Sequence, residues 1–190
     1  MKKIKAIITM QDNRNLTFEL YPEVAPITVN NFLDLANSGF YDGLPFHRIK
    51  KDWVLQGGST DGTCESPTEF SIKGEFSANG VENNIKHKKG TISMARYDHF
   101  DSAGVQFFIV HMDYAESLDG KYAGFGKLID GEDLLEELAN VETDTTPGKF
   151  NPPIVPVIIK SIRVIEGDFK LGEVERIYPA VSKEYTGNAS

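Results

Sequence analysis

FHRIKKDWVLQGG, residues 46–58, is the stretch of this sequence that decides the fold. It places one arginine, Arg48, eight positions before one glutamine, Gln56, with the apolar run WVL between them. We predict a strand, a turn and a second strand, because such a path brings the cation and the amide together above an apolar floor. The stretch contains no nucleophile, no metal-ligand cluster and no phosphate-binding loop. It therefore predicts chemistry that needs no covalent intermediate.

Apolar periodicity on both sides of this hairpin predicts many short strands and two helices. Strands are predicted over residues 4–10, 15–20, 90–95, 105–110, 123–129 and 154–165, and helices over a segment capped by Thr28 and over 130–140. Because strands and helices do not alternate, a closed or sandwiched antiparallel sheet is favoured over a parallel one. This pattern alone does not choose between a barrel and a sandwich. The polar, turn-rich segment 60–89 is long enough to predict a functional loop.

Composition and charge exclude several classes of function. The net charge of -8 argues against a nucleic-acid partner, and the basic run at 86–89 is interpreted as a solvated turn. Cys64 is the only cysteine, so no intrachain disulfide is expected. The histidines lack ligand-like spacing, so neither a metal nor another cofactor is expected. The first apolar run is too short for a secretory signal, and we expect a cytoplasmic monomer without a membrane partner.

The chain is predicted to divide into one domain and a tail. At 190 residues it is most naturally a single domain with a substantial core. After residue 165 the sequence turns polar, with a few apolar residues that could dock on a surface. We therefore predict a folded domain over 1–165 and a polar tail over 166–190 that packs on the domain or trails from it.

Six motifs carry a resemblance to a known family. In chain order they are YPEVAPITVNNFLDLANSGFYDGLPFHRI, QGG, GEF, HKKGTISMAR, SAGVQFFIV and LDGKYAGFGKLIDG. Over about residues 5 to 165 the sequence resembles the cyclophilins. The resemblance implies a mainly-β fold: a closed eight-stranded antiparallel β-barrel capped by two α-helices. It also implies a peptidyl-prolyl cis-trans isomerase that assists folding by acting on X–Pro bonds of unfolded or flexible polypeptides.

Matching motif by motif, the resemblance assigns the site residues. Arg48 takes the place of the family's catalytic arginine. The substrate-binding positions are Trp53, Val54, Gln56, Ala95, Arg96, Tyr97, Gln106, Phe108, Leu118 and Tyr122. In the family, the backbone of the segment matching 95–97 pairs with the bound peptide. Alternation along a strand places Phe107 and Phe108 on opposite faces, and only the resemblance assigns Phe108 to the proline pocket.

The sequence also departs from the family pattern. Ser117 replaces a tryptophan or phenylalanine, Tyr122 stands where many members have histidine, and the loop 97–102 is one residue longer than in shorter members. Trp53 also replaces a phenylalanine, and Val54 a methionine. Together with Ser117 and the longer loop, these departures predict weakened binding of cyclosporin, a ligand that the resemblance implies. Trp53 and Ser117 also keep an alternative open, a chaperone or scaffold that binds proline-containing peptides with little turnover. A hydrolase is disfavoured because no nucleophile–base pair is evident.

Overall fold

Eight strands and two helices make up the fold. The computed structural model describes residues 3–166 and 171–184. The strands are β1 (Ile4–Met10), β2 (Asn15–Leu20), β3 (Arg48–Lys50), β4 (Val54–Gly57), β5 (Thr91–Met94), β6 (Phe107–Val110), β7 (Gly124–Asp130) and β8 (Ile159–Glu166). The helices are α1 (Pro26–Asn37) and α2 (Glu132–Ala139). The predicted bounds of β1 and β2 are confirmed, and so is the mainly-β class with two helices.

All eight strands belong to one antiparallel sheet in the order β3-β4-β6-β5-β7-β2-β1-β8. The edge strands β3 and β8 approach each other through the isolated bridge between Pro45 and Ile158. Beside it, the N–H of Phe46 donates to the carbonyl of Val157 at 2.8 Å. Pro45 has no N–H to add to a ladder, so a short seam takes the place of continuous strand pairing. The prediction of a closed barrel was therefore slightly too strong, because the sheet is a strongly curled one.

The start of α1 differs from the expectation that Thr28 caps it. The helix begins at Pro26, where the fixed backbone angle and missing N–H of proline suit a first turn. The carboxylate of Glu75, from the long loop, accepts hydrogen bonds from the backbone N–H and the hydroxyl of Thr28, at 2.6 and 2.7 Å. A side chain distant in sequence thus satisfies the helix terminus. Burial nevertheless raises the pKa of Glu75.

The buried apolar residues form two clusters. The larger one fills the inside of the curled sheet, where α1 packs on β8 and the ring of Phe32 lies 5.1–5.6 Å from the rings of Tyr41, Phe107 and Phe125. The smaller one consists of Val54, Phe108, Val110, Ala115 and Leu118, with Trp53, Ala95 and Tyr122 packed against it. Phe107 and Phe108 therefore lie in different clusters, as alternation along β6 requires.

The C-terminal part of the chain departs from the sequence prediction. The last strand begins at Ile159 rather than 154, and Ile154 and Val155 are exposed. Of the predicted tail, 167–170 and 185–190 lie outside the described residues, whereas 171–184 lie against α1 and the loop segment 69–71. Within the two described ranges, none of the helices is both long and apolar enough to span a bilayer.

Candidate active site

The predicted hairpin brings Arg48 and Gln56 together. They are directly paired between β3 and β4, and Arg48 Nη1 donates to Gln56 Oε1 at 3.4 Å. The turn between the strands is anchored from β6, because the N–H of Asp52 donates to His111 Nδ1 and the N–H of His111 donates to the carbonyl of Trp53. The hairpin therefore holds its cation and its amide on one face of the sheet, as the sequence predicted.

A chain of amides orients Gln56 towards the arginine. Gln56 Nε2 donates to Gln106 Oε1 at 2.8 Å, and Gln106 Nε2 donates to the carbonyl of Cys64 at 3.2 Å. Because each amide nitrogen is used as a donor, the oxygen of Gln56 is the atom left to face Arg48. Gln56 thus positions the guanidinium, a role that the sequence did not predict.

Below the arginine lies an apolar floor, formed by Val54, Phe108 and Leu118. Val54 and Phe108 come from the neighbouring strands β4 and β6, and Leu118 comes from a short 3₁₀ turn at Glu116–Leu118. The ring of Tyr122 meets Phe108 edge to face at 5.8 Å. The floor is buried, so it presents a dry surface sized for a small apolar ring.

A fixed histidine supports the floor from behind. The ring of His87 stacks on Phe108 with centroids 6.2 Å apart. Its Nδ1 lies 3.0 Å from Asp119 Oδ1 and its Nε2 lies 2.9 Å from Ser93 Oγ. Burial lowers the pKa of His87, against the opposing effect of Asp119. The solvated-turn interpretation of 86–89 thus holds for the lysines but is wrong for His87, which is fully buried.

Ser93, His87 and Asp119 have the connectivity of a hydrolytic triad, yet they do not form a nucleophilic site. Ser93 is 0% exposed and is not among the residues that line the cavity. A substrate carbonyl in the cavity therefore does not reach the serine hydroxyl. The three residues therefore serve as a hydrogen-bonded support, in line with the low weight that the sequence gave to a hydrolase.

Gly58, directly after β4, allows the backbone at Val105 to approach closely. Gly58 has a φ of +96°, and a Cβ atom there would lie 2.5 Å from the carbonyl oxygen of Val105. That same carbonyl accepts a hydrogen bond from the hydroxyl of Tyr41 at 2.8 Å. Any side chain at Gly58 would push the end of β4 away from Val105 and Gln106. The second glycine of the QGG motif thus has a steric explanation.

The other side of the cavity is a loop wall, which we define as residues 64–68 and 96–102. Arg96 holds its upper part: Nε donates to the carbonyl of Lys121 and Nη1 to the carbonyl of Tyr97, at 2.9 and 2.8 Å. The guanidinium also lies 4.6–5.2 Å from the rings of Phe76, Phe100 and Tyr122. The family resemblance assigned only the backbone of Arg96 to peptide pairing. In the structure its side chain also joins three loops.

Floor, arginine and loop wall enclose a cavity of about 270 Å³. All eleven residues predicted for the site line it. The lining residues that the sequence analysis missed are Cys64, Glu65, Ser66, Thr68, Ser102, Gly104, Val105 and Phe150. The unusual length of the loop 60–89 was the available signal for the first four. Phe150 follows a Gly-Lys pair in a polar loop, and no sequence pattern marked it.

Burial dominates the electrostatics beside Arg48. His47 is 5% exposed, and neither of its ring nitrogens has a hydrogen-bond partner among the described residues. Burial, with a further contribution from the charge of Arg48, lowers the pKa of His47 to about 4. The Nε–H of Arg48 is also buried without a partner in the described part of the chain. Arg48 thus lies beside a neutral imidazole, and its Nε–H is shielded from solvent.

Metal chemistry receives no support from the side chains around the cavity. Across residues 3–166 and 171–184, no group of three His, Cys, Asp or Glu side chains is arranged to hold a metal ion. Cys64 lines the cavity, and burial raises the pKa of its thiol, which disfavours the reactive thiolate. The site can therefore offer a cation, amides, backbone groups and an apolar floor.

Comparisons with known proteins find one family. A family model described as cyclophilin type peptidyl-prolyl cis-trans isomerase/CLD matches residues 6–164. The peptidyl-prolyl cis-trans isomerase B of Bacillus subtilis (strain 168) is 42% identical over 131 residues, 69% of this chain and 87% of the relative. The peptidyl-prolyl cis-trans isomerase A of Dickeya dadantii (strain 3937) is 35% identical over 157 residues, 80% of each chain.

Solved structures agree with the sequence comparisons. The crystal structure of a Cryptosporidium parvum cyclophilin type peptidyl-prolyl cis-trans isomerase, in the presence of the dipeptide Ala-Pro, matches with a TM-score of 0.75. It is 31% identical in sequence and covers 86% of this chain and 99% of its own. The matched family region, 6–164, contains every residue that lines the cavity.

Proposed function

Since the chain belongs to the cyclophilin family of peptidyl-prolyl cis-trans isomerases, we propose that its cavity binds the X–Pro segment of a polypeptide with Arg48 as the catalytic residue. The isomerase activity on proline-containing peptides comes with the family. One observation carries the assignment of the site: the arginine held by Gln56 above the apolar floor.

The reaction needs only a change in the shape of the peptide bond. Resonance gives the C–N bond partial double-bond character and a rotation barrier of about 18–20 kcal/mol. Both isomers of an X–Pro bond are populated, but they exchange over tens to hundreds of seconds. An enzyme accelerates the exchange if it binds the twisted bond better than either planar form. No nucleophile or metal ion is required for this.

Arg48 is suited to stabilising the twisted bond. When resonance is lost, the prolyl nitrogen regains a lone pair that can accept a hydrogen bond. A guanidinium keeps its charge and presents rigid donors, and Arg48 lines the cavity. Charge-assisted hydrogen bonds in a site that excludes water are stronger than those in solution. In our proposal the guanidinium therefore donates to the prolyl nitrogen as it pyramidalises.

The other lining residues hold the substrate on both sides of that bond. The floor takes the pyrrolidine ring by apolar contact, with Trp53 and Tyr122 beside it. The backbone at Arg96 lies between two fixed points, because the N–H of Ala95 donates to Gln106 and that of Tyr97 donates to Ser102 Oγ. We propose that this held backbone pairs with the peptide. Rotation then occurs on one side of an anchored chain.

The test of this proposal is the substitution Arg48→Ala. In a protease-coupled assay of an Ala-Pro-Phe reporter peptide, we expect kcat/KM to fall about 100-fold or more, as when one transition-state donor is removed elsewhere. Peptide affinity should fall only several-fold, because the floor and the loop wall remain. Arg14→Ala is the matched control, since Arg14 forms ion pairs with Asp12 and Glu137 on the surface.

Two other results of this assay would change the proposal. Equal acceleration by the wild type and Arg48→Ala would keep the isomerase and remove Arg48 from the catalytic role. Wild-type protein that binds the peptide without accelerating its isomerisation would instead be a binding module for proline-containing segments.

We further propose that cyclosporin binds weakly and that the protein acts as a monomer. Ser117 is an exposed serine next to Leu118 and offers far less apolar area to a large cyclic peptide than an aromatic ring would. We expect Ser117→Trp to lower the cyclosporin inhibition constant at least several-fold, with Glu116→Gln in the same exposed turn as the control. An unchanged constant would exclude Ser117 as the cause. Light scattering on the protein as it elutes from a size-exclusion column measures its mass and so tests whether it is a monomer.

A further inference from the structure

Residues 171–184, which we call the strap, follow the family-matched region and run along α1 and the long loop. The strap is fixed first on α1. Arg176 Nε donates to Asn31 Oδ1 and Arg176 Nη2 donates to Asp34 Oδ2, both at 2.9 Å. The guanidinium also lies 4.3 Å from the centre of the Phe70 ring. With its side chain only 15% exposed, Arg176 is a built anchor rather than a surface charge.

The middle of the strap pairs with the long loop as a short piece of sheet. Ser71 and Ile177 exchange two backbone hydrogen bonds, of 2.7 and 3.1 Å. The N–H of Ala180 donates to the carbonyl of Glu69, and the N–H of Val181 donates to Ser71 Oγ. These bonds hold the loop just after the cavity-lining residues 64–68.

The end of the strap reaches the loop wall itself. Lys183 Nζ donates to the carbonyl of Glu65 at 3.1 Å and lies 4.6 Å from the centre of the Tyr97 ring. The carbonyl of Lys183 accepts a hydrogen bond from the N–H of His99 at 3.2 Å. Glu65 and Tyr97 both line the cavity. Lys183 thus joins the two segments that make up the wall.

Within the wall a further bond joins the two segments, because the hydroxyl of Tyr97 donates to the carbonyl of Ser66 at 3.1 Å. Inside the segment 96–102, the N–H of Tyr97 donates to Ser102 Oγ at 2.8 Å. None of the eight strands includes residues 64–68 or 96–102. Contacts from outside the sheet therefore determine where the wall stands relative to the floor.

We propose that the strap is a positioning element of the active site, with Lys183 as the positioning residue that holds the loop wall against the floor. The inference rests on the proposed function, because it assigns the wall to one flank of the bound peptide. The strap then determines the affinity for residues flanking the X–Pro pair. It does not affect rotation at the bond, which takes place between Arg48 and the floor.

The test compares Lys183→Ala with wild type on three blocked peptides, by exchange NMR that yields KM and kcat. The peptides are Ala-Pro alone, Ala-Pro preceded by three alanines and Ala-Pro followed by three alanines. Because the variant loses both the cation–π contact and the hydrogen bond, we expect KM to rise about fivefold for one extended peptide. Its kcat, and both constants for Ala-Pro alone, should stay within twofold.

Two further variants make the result specific. Lys183→Arg should restore KM, because a guanidinium can also donate to the Glu65 carbonyl and stack on Tyr97. Lys160→Ala should behave as wild type, because Lys160 is an exposed lysine of β8 whose ammonium donates to Asn13, outside the loop wall. Arg176→Ala, which releases the strap from α1, should reproduce the rise in KM.

Three outcomes would overturn the inference. They are an unchanged KM for every peptide in both Lys183→Ala and Arg176→Ala, an equal rise for all three peptides, or a fall in kcat with KM constant. Failure of the proposed function is distinguishable, because wild-type protein would then not accelerate even the Ala-Pro peptide.

Discussion

The floor and the loop wall line the same cavity, but they are held by different interactions. Val54 and Phe108 in the floor stand on paired strands and share a buried apolar cluster. Tyr97 and Glu65 in the wall stand on loops, and side chains such as Arg96 and Lys183 hold them through carbonyl groups and aromatic rings. A substitution in the floor should therefore reduce packing energy, whereas a substitution in the wall should shift the loops relative to the floor.

This difference separates the two tasks of the enzyme. In the proposed function the floor and Arg48 act on the bond that rotates, and paired strands keep the distance between them constant. In the same proposal the wall meets the flanking residues, which vary from one polypeptide to another. Loops held by a few polar contacts can differ between relatives without disturbing the strands. Substitutions should accordingly affect stability and kcat in the floor, and mainly KM in the wall.

The largest effect is expected for Phe108→Ala in the floor. Truncation of a buried phenylalanine typically lowers the free energy of unfolding by about 3–5 kcal/mol. One side of Phe108 already opens into the cavity, so we expect a value near the lower end of that range, with most of the activity lost. Urea unfolding followed by tryptophan fluorescence gives the free energy. The control is Phe150→Ala, whose side chain is 53% exposed, and which should change stability by less than about 1 kcal/mol.

Acid should lower the stability of the folded protein through His47, the buried neighbour of Arg48. Its pKa is about 4 in the folded protein and about 6.5 when unfolded, so the unfolded chain binds the proton first as the pH falls. The contribution to stability is complete above about pH 6.5 and is lost as the pH falls towards 4, by up to about 3 kcal/mol.

Urea unfolding across this pH range, with His47→Gln beside the wild type, measures that contribution. The variant cannot bind the proton, so its stability should fall less steeply between pH 6.5 and 4. Burial also lowers the pKa of His87, and the slope that remains in the variant includes that residue. Identical slopes in the two proteins would mean that His47 takes no part.

The smallest effect is expected in the wall, for Arg96→Lys. An ammonium group cannot donate to the carbonyls of both Lys121 and Tyr97 while lying among three rings. We expect KM for extended peptides to rise by about three- to tenfold. The free energy of unfolding should change by less than about 1 kcal/mol, and kcat by less than about fivefold, the factor that corresponds to the same energy. Arg14→Lys serves as the surface control. A loss of kcat with unchanged KM would place Arg96 with the floor instead.

The floor could be predicted from the sequence because local patterns determine it. The eight-residue spacing of Arg48 and Gln56 became a directly paired position in the hairpin. Alternation separated Phe107 from Phe108, but all four residues of β6 are buried, so the pattern could not say which ring faces the cavity. That choice came from the family resemblance.

The wall and the C-terminal segment could not be predicted in the same way. Glu75 satisfies the start of α1 from a position 47 residues later, and no local pattern reveals such a partner. Residues 154–158 are apolar enough for a strand, yet Pro156 interrupts them and Ile154 pairs with the carbonyl of Glu142 instead. In the sequence, Lys183 is one charged residue in a polar tail, and only folding brings it close to Tyr97.

The short seam between the edge strands has a consequence for synthesis on the ribosome. Pro45 and Ile158, which join the two edges, are about 110 residues apart along the chain, and contacts between such distant residues form late in folding. Arg48 lies on the edge strand at this seam, three positions after Pro45. A nascent chain that still lacks β8 therefore has Arg48 on an open edge. The candidate active site is complete only after β8 has emerged.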